Sequence, residues 1–388
     1  MNIIIIGNGM YVCGRGTSGH GTILPAVLEY IRGGQLVNKI ILVGSNGKNF
    51  PIIQQKVHSL LKVSGVSCEI DILPKNGVVD KNQYIKVLES IDKPACAIVA
   101  VPDHLHKKVA MDCLNRDFHT LVVKPLVSNL KDAKDLVSLA DKKNLYAAVE
   151  FHKRFDKQNI IFRDHFNIGE IGSPVYSIVE YSQRKSIPTQ IFKSWVNKTN
   201  IFQYLGVHYV DIMYFITNAV PKRVMAFGQK NWLKSKGIDV HDSIQAIIEW
   251  EMNDGTKFNQ LIITSWIDPE TSSAMSNQKI KLIGTKGRFT ADQKNRGITF
   301  HSDDKQIENL NPDFCIPFMI NNQLTWQGYG IDSIKTFLFD VQEIYHNEKD
   351  LKSLEKIRPT FKEALVSTSV IEAVNLSLAK DTWVSTKI

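Results

Sequence analysis

Two side chains in this sequence have the type and setting to move a proton. Lys124 follows the β-branched run Thr120–Val123 and precedes Pro125. A lysine at the carboxyl end of a buried strand stands where open α/β sheets bind ligands. Its ammonium can hydrogen-bond a substrate oxygen and offset charge that develops there. His208 lies in Gly206-Val207-His208-Tyr209-Val210-Asp211, within a segment of helical spacing that runs to about Ile216. Imidazole exchanges a proton near neutral pH, so His208 can serve as acid or base. Asp211, three residues on, is its neighbour on one helix face. Tyr204, one turn earlier, can orient the imidazole or bond the same substrate oxygen. The plain alternatives are a surface lysine after a strand and a helix-face histidine bonded to a carbonyl.

The elements around Lys124 read as a βαβ unit. Ile98–Val101 is a short apolar run that Pro102 ends. Val109, Ala110, Cys113 and Leu114 recur at helical spacing, and Thr120–Val123 follows as the next strand. The chain opens with an apolar strand, Asn2–Ile6, then Gly7-Asn8-Gly9. Such a turn lets a pyrophosphate approach backbone N–H groups at the start of a helix. Here the loop runs on through Gly14, Gly16, Gly19 and Gly21, and Thr22 is the expected N-cap of the helix beyond it. Lys39–Val43 is the second strand. An NAD-binding fold normally ends it with an acid for the ribose hydroxyls. Here Gly44-Ser45-Asn46-Gly47-Lys48 follows instead. Ser45, Asn46 and Lys48 can donate to a 2′-phosphate, which leans the expectation toward NADP; they are equally ordinary turn residues. Helices at Pro51–Val63, Lys81–Ile91 and Asn129–Lys142, with strands at Cys68–Leu73 and Tyr146–Val149, complete six strands. The expected fold for residues 1–150 is an α/β Rossmann domain with a doubly wound parallel sheet.

Residues 151–388 change character. Arg154-Phe155-Asp156 opens a helix, and long alternating strands follow at Val175–Gln183, Lys222–Gln229, Ser243–Met252 and Lys257–Trp266. Asn253-Asp254-Gly255-Thr256 joins the last two as a hairpin. A second hairpin surrounds Gly284-Thr285-Lys286-Gly287, and helices at Asp332–Tyr345 and Thr360–Leu378 close the chain. This is an α+β domain on a large open, mainly antiparallel sheet, and the closing helices can pack back on the first domain.

Composition narrows the class. With 388 residues, 43% hydrophobic and 22% charged, the chain is long enough for two globular domains. It has no apolar run of membrane-spanning length. Asn2–Ile6 is too short for a signal peptide and lacks a basic n-region, so a cytoplasmic protein is expected. Five scattered cysteines without a CxxC pair speak against a disulfide framework or a zinc site, and no metal is expected. The formal net charge of +8 comes from dispersed residues, not a block interleaved with aromatics. That favours an anionic cofactor or substrate, or plain solubility, over nucleic acid.

Taken together, these pieces resemble the glucose–fructose oxidoreductase and inositol dehydrogenase (Gfo/Idh/MocA) family along almost the whole chain. The matching pieces are the N-terminal G-x-G; Val101-Pro102-Asp103-His104-Leu105-His106; Lys124-Pro125-Leu126; Phe151 to Asp156; Gly169–Pro174; Gly206–Asp211; Ile283–Phe289; and Val370-Ile371-Glu372-Ala373. The resemblance implies an NAD(P)-dependent dehydrogenase or reductase acting on a sugar, sugar nucleotide, inositol or related polyol. Lys124 matches its catalytic lysine and His208 its catalytic histidine. Gly7, Gly9, Met10, Ser45, Asn46, Val101, Pro102, His106 and Lys124 are the expected cofactor contacts. His152, Lys153, Trp195 and Asp211 are expected on the substrate side, with Trp195 equally readable as core. The outer sheet face implies a homodimer or homotetramer. Three departures stand out: Val123 replaces a glutamate, Tyr204 replaces an aspartate, and about eight extra residues lengthen the glycine loop. The alternative in another class is a non-catalytic dinucleotide-binding regulator or subunit of the same fold.

Overall fold

Continuous apolar runs, as distinct from alternating ones, require a sheet covered on both faces. β1 (Asn2–Ile6) and β4 (Ala95–Val99) are such runs, buried along their whole length. With β2 (Lys39–Val43), β3 (Ile70–Leu73), β5 (His119–Val123) and β6 (Ala147–Glu150) they form an all-parallel sheet in the order β3-β2-β1-β4-β5-β6. The order reverses between β1 and β4, which opens the crevice where such sheets take ligands. β4 ends two residues before the expected Val101; Ala100 still donates to the Ile6 carbonyl at 2.8 Å, and the chain then turns toward Pro102.

The computed structural model describes residues 1–303 and 305–388. They divide into two compact units, and not by a single cut after residue 150. One comprises Met1–Leu126, Lys131–Phe155 and Asp313–Glu363; the other Val127–Leu130, Asp156–Pro312 and Ala364–Ile388.

The glycine loop departs from its expected form. A one-turn helix, α1 (Met10–Cys13), follows Gly9 directly and ends at Gly14 in the left-handed region. The insertion therefore lies between α1 and α2 (Ile23–Arg32), not ahead of all helix. Thr22 precedes α2 but makes no side-chain cap bond. The inserted loop is tied down from two sides. Arg15 Nε donates to the Asn8 carbonyl at 2.9 Å. Lys56 Nζ, from α3 (Phe50–Ser64), donates to the carbonyls of Thr17 (2.6 Å) and Gly19 (2.8 Å). The remaining connections are α4 (Gln83–Ser90), α5 (His106–Asn115) and α6 (Leu130–Lys142).

In the second unit Asp156 caps α7 (Lys157–Asn167), its side chain accepting from the Gln158 N–H. β7 (Pro174–Arg184), β8 (Val220–Gln229), β9 (Ser243–Glu251), β10 (Lys257–Asp268), β11 (Ser276–Gly284) and β12 (Arg288–Asp292) form a mixed sheet in the order β12-β11-β7-β10-β9-β8, with the short β17 (Val384–Ser385) at the far edge. All pairs are antiparallel except β7 with β10. Ile244, Ala246, Ile248 and Trp250 alternate into the core with no exposure. α8 (Val207–Thr217) covers that face and is apolar nearly all round, as a buried helix must be. α9 (Trp232–Ser235) and α12 (Ala364–Lys380) complete the unit's helices, and the hairpin β13–β14 (Thr299–Ser302, Lys305–Asn309) extends from it.

The chain then returns to the first unit through the hairpin β15–β16 (Ile316–Ile320, Gln323–Gln327), α10 (Tyr329–Tyr345) and α11 (Leu351–Glu355). Ile331, Ile334, Phe337, Leu338 and Val341 of α10 join one core with Ile3, Ile5, Val27 and Tyr30. Each such side chain contributes about 1.5–3 kcal/mol by leaving water. Fully buried Asp340 anchors the segment: it accepts from Arg358 (2.6 and 3.1 Å), Lys349 (2.8 Å) and Tyr146 (3.2 Å). Among the described residues no helix is long and apolar enough to cross a membrane.

Candidate active site

The first unit presents its chemistry at the carboxyl edge of the parallel sheet, where β1, β4 and β5 run on into Gly7, Ala100 and Lys124 and β6 ends in Glu150. The glycine turn fits a dinucleotide. A Cβ on Gly7 (φ +122°) would lie 2.0 Å from the Ala100 carbonyl oxygen, so only glycine lets β1 and β4 close together there. Nothing lies within 4 Å of the Cβ position on Gly9, so backbone is left open to a pyrophosphate. Met10, half-buried, begins α1 beside it. At the end of β2, Ser45 and Asn46 are exposed. Asn46 Oδ1 accepts from the Lys48 backbone N–H at 2.8 Å, so that oxygen serves the turn itself.

Lys124 is partly buried and joined to Pro125 by a cis peptide bond. Burial pulls its ammonium down to about 8, with Asp103 and then Glu150 acting in the opposite direction. An amine in that range can exchange its proton near neutrality. His106, expected at the cofactor, is instead wholly buried. Its ring nitrogens lie 2.7 Å from the Pro125 carbonyl and 2.8 Å from the Val101 carbonyl. It staples the half-exposed Val101-Pro102 turn to the Lys124-Pro125 turn.

Glu150 was not singled out by the sequence reading, and it is the hub of this edge. It is 2% exposed. Tyr11 Oη donates to its Oε1 at 3.0 Å and Ser333 Oγ at 2.7 Å. His152 Nδ1 lies 3.0 Å from both carboxylate oxygens. The signal in the sequence was an acid closing an otherwise apolar strand, Ala147–Glu150, at a ligand-facing edge. Burial, and the Glu150 charge after it, push the Tyr11 phenol well above its usual range, so Tyr11 remains a donor. His152 is largely buried, its ring stacked on Tyr329 at 5.7 Å. Lys153 is 2% exposed. Both are interior groups of this edge, not open surface.

The second unit carries the other candidates. A π-helical turn, Phe202–Gly206, leads into α8 and sets Tyr204 and His208 one turn apart. His208 is 3% exposed and Asp211 2%. The His208 ring lies 6.3 Å from that of Tyr181, whose phenol burial pushes up to about 12. Tyr204 is half-buried, edge-on to Phe192 at 4.7 Å and beside Trp266 at 6.2 Å. Trp195 packs on the same core through Phe192 at 4.5 Å, in keeping with its reading as core.

Residues 70–151 match a family pattern described as an oxidoreductase family with an NAD-binding Rossmann fold, and residues 162–290 match the Gfo/Idh/MocA C-terminal domain. The chain belongs to the Gfo/Idh/MocA family of NAD-binding oxidoreductases. Among its relatives is glucose-6-phosphate 3-dehydrogenase of Bacillus subtilis, 23% identical over 74% of this chain and 81% of that one. Inositol 2-dehydrogenase of Salmonella typhimurium is 24% identical over 38% of this chain and 42% of its own length. The fold is also that of scyllo-inositol dehydrogenase from Lactobacillus casei, solved with NAD(H) and scyllo-inositol: TM-score 0.69, 13% identity, 99% of this chain and 98% of that one.

Proposed function

We propose that this protein oxidises or reduces one CH–OH carbon of a cyclic polyol, a sugar, an inositol or a sugar nucleotide, with Lys124 and His208 managing the proton. The observation that carries the reading is a lysine at the carboxyl edge of β5, on the same edge as the glycine turn, with its ammonium drawn down to about 8. The relatives named for glucose 6-phosphate and inositol support the substrate class. Gly7, Gly9, Met10, Val101, Pro102 and Lys124 would hold the dinucleotide, whose nicotinamide supplies or accepts the hydride. His208 takes the hydroxyl proton in the oxidative direction and returns it in the reverse. Lys124 donates a hydrogen bond to the same oxygen and offsets its growing negative charge. Tyr204 orients the imidazole, and Asp211 and His152 belong to the substrate side.

On cofactor choice we propose that NADP binds at least as well as NAD. β2 ends without the carboxylate that would repel a 2′-phosphate, and Ser45 and Lys48 are exposed donors there. Arg15, clamped to the Asn8 carbonyl, brings a further cation beside the glycine turn. Titration of both dinucleotides against tryptophan fluorescence, followed by a panel of sugars, inositols and sugar nucleotides monitored by nicotinamide absorbance, tests both parts. A clear NAD preference, unchanged in Ser45→Ala and Lys48→Ala, would refute the NADP reading. Binding without turnover across the panel would favour the non-catalytic alternative.

We also propose a homo-oligomer built on the open face of the second sheet. Met225, Ile247, Leu261 and Ile178 stand in register on four adjacent strands and form one apolar row across that face. Such a row on a solvent-facing sheet marks an interaction surface. Light scattering at micromolar concentration is expected to give a dimer or tetramer, and Ile247→Lys with Leu261→Lys a monomer. A monomeric wild type would end this proposal.

A further inference from the structure

A dinucleotide-binding turn is ordinarily held by the helix that follows it, which packs closely along the sheet. Here that helix is cut short. α1 has four residues and stops at Gly14 in the left-handed region, and the inserted loop runs on to Thr22 before α2 begins. A single helical turn does not hold itself in water, because it fixes several backbone dihedrals for very few hydrogen bonds. Yet the Gly9 carbonyl accepts from the Val12 and Cys13 N–H groups of α1, at 3.2 and 3.1 Å. The glycine turn is therefore only as well fixed as α1 is.

Tyr11 of α1 is fastened at both ends. Its carbonyl accepts from the Thr22 N–H at 2.7 Å, which closes the neck of the inserted loop. Its Oη donates to Glu150 Oε1 at 3.0 Å, 139 positions away in the chain. Glu150 is itself held in place: His152 Nδ1 lies 3.0 Å from both its oxygens, and Ser333 Oγ of α10 donates to Oε1 at 2.7 Å. Val12 and Cys13 are buried beside Tyr11 and add packing without direction. The Tyr11–Glu150 bond is a directional tie from α1 to the end of β6. We infer that Glu150 is a positioning residue for the dinucleotide and acts through Tyr11: it holds α1, and with it the Gly7–Gly9 backbone, in the binding form before the dinucleotide arrives. The inference rests on the reading of Gly7–Gly9 as the pyrophosphate site. It gives the acid at the end of β6 a role, and it explains how the chain carries an insertion directly behind α1. A protein whose turn is formed only part of the time binds with its affinity reduced by that fraction.

Tyr11→Phe deletes the hydroxyl and keeps the ring. Amide hydrogen exchange across Gly9–Gly14 is followed by mass spectrometry in the resting protein, and NAD and NADP are titrated by calorimetry. Exchange in that segment is expected to quicken and to slow again at saturating dinucleotide. Both dissociation constants are expected to rise by about tenfold, the scale of one lost hydrogen bond to a charged group. Glu150→Gln, whose amide oxygen can still accept from Tyr11, is expected to show the same changes to a smaller extent. Ser333→Ala removes a donor from the same carboxylate oxygen but not from α1, and is expected to leave both readouts as in the wild type. A carboxylate that only braced the unit would lower thermal stability in all three variants and leave the dissociation constants alone. Wild-type affinity in Tyr11→Phe would overturn the inference, as would a loss in Ser333→Ala equal to that in Tyr11→Phe. If Tyr11→Phe does not fold, Glu150→Gln decides: weakened binding supports the inference, and wild-type affinity overturns it. A wild-type protein that binds neither dinucleotide would remove the reading of the glycine turn, and this inference with it.

Discussion

Lys124→Ala is expected to lower turnover by about 10²-fold or more, the scale for losing a positioned acid or base, while dinucleotide binding survives through the other contacts. The side chain stands at the carboxyl edge of β5, and the glycine turn that would carry the pyrophosphate is built by other residues, Gly7 and Gly9. The loss should thus fall on the chemical step and not on cofactor binding. The sign of the pH dependence follows from the required charge. The ammonium form is the active one in this reading, and it is present below a pKa of about 8. Activity should hold on the acid side of that value and decline as pH rises through it. Lys124→Arg keeps its charge throughout this range, so its alkaline limb should vanish even though guanidinium geometry lowers the rate. Stopped-flow turnover from pH 6 to pH 10, taken as a span of about two units on either side of the midpoint, checks both points. Near-normal turnover in Lys124→Ala would dismiss the lysine.

His208→Ala should cost a comparable factor, about 10²-fold in turnover. The ring is 3% exposed on α8, so truncation also leaves a gap in the second unit's core. His208→Gln fills more of that gap without a titratable group, and the comparison separates packing from proton transfer. If both variants lose turnover alike while only His208→Ala loses thermal stability, the imidazole acts chemically. If His208→Gln retains turnover, the histidine is a packing residue and Tyr204 or Lys124 alone must manage the proton.

The parts of the molecule legible in the sequence are those where local pattern and tertiary role coincide. Lys39–Val43 was read to the residue because a β-branched run between polar flanks admits one strand position. The end of β4 was misplaced because Val101 is as apolar as the strand it follows; what stops pairing is the departure of the chain beyond Gly7, which no local pattern records. The second sheet is mainly antiparallel, as expected; its one parallel pair, β7 with β10, was not legible because it joins strands far apart in sequence. His106 was placed at the cofactor and His152 on the substrate side, but the contacts that hold their rings were not legible. Their actual partners, the Pro125 and Val101 carbonyls and the Glu150 carboxylate, are brought close by the parallel sheet. Glu150 escaped notice because an acid at a strand end carries no motif. Its importance arises from Ser333, 183 positions away along the chain.

That return of Asp313–Glu363 to the first unit also governs the order in which the protein can mature on the ribosome. The six parallel strands are all synthesised by Glu150, yet the core that α2 shares with Ile331, Ile334, Phe337 and Leu338 is incomplete until α10 emerges. The intervening unit, Asp156–Pro312, is therefore made while an apolar face of the earlier one still lacks its cover. The first unit cannot complete its core before most of the second is made, unlike the N-terminal-first order usual for long chains. The face that α2 presents lacks its cover until Ile331, Ile334, Phe337 and Leu338 have been made, after the whole of Asp156–Pro312.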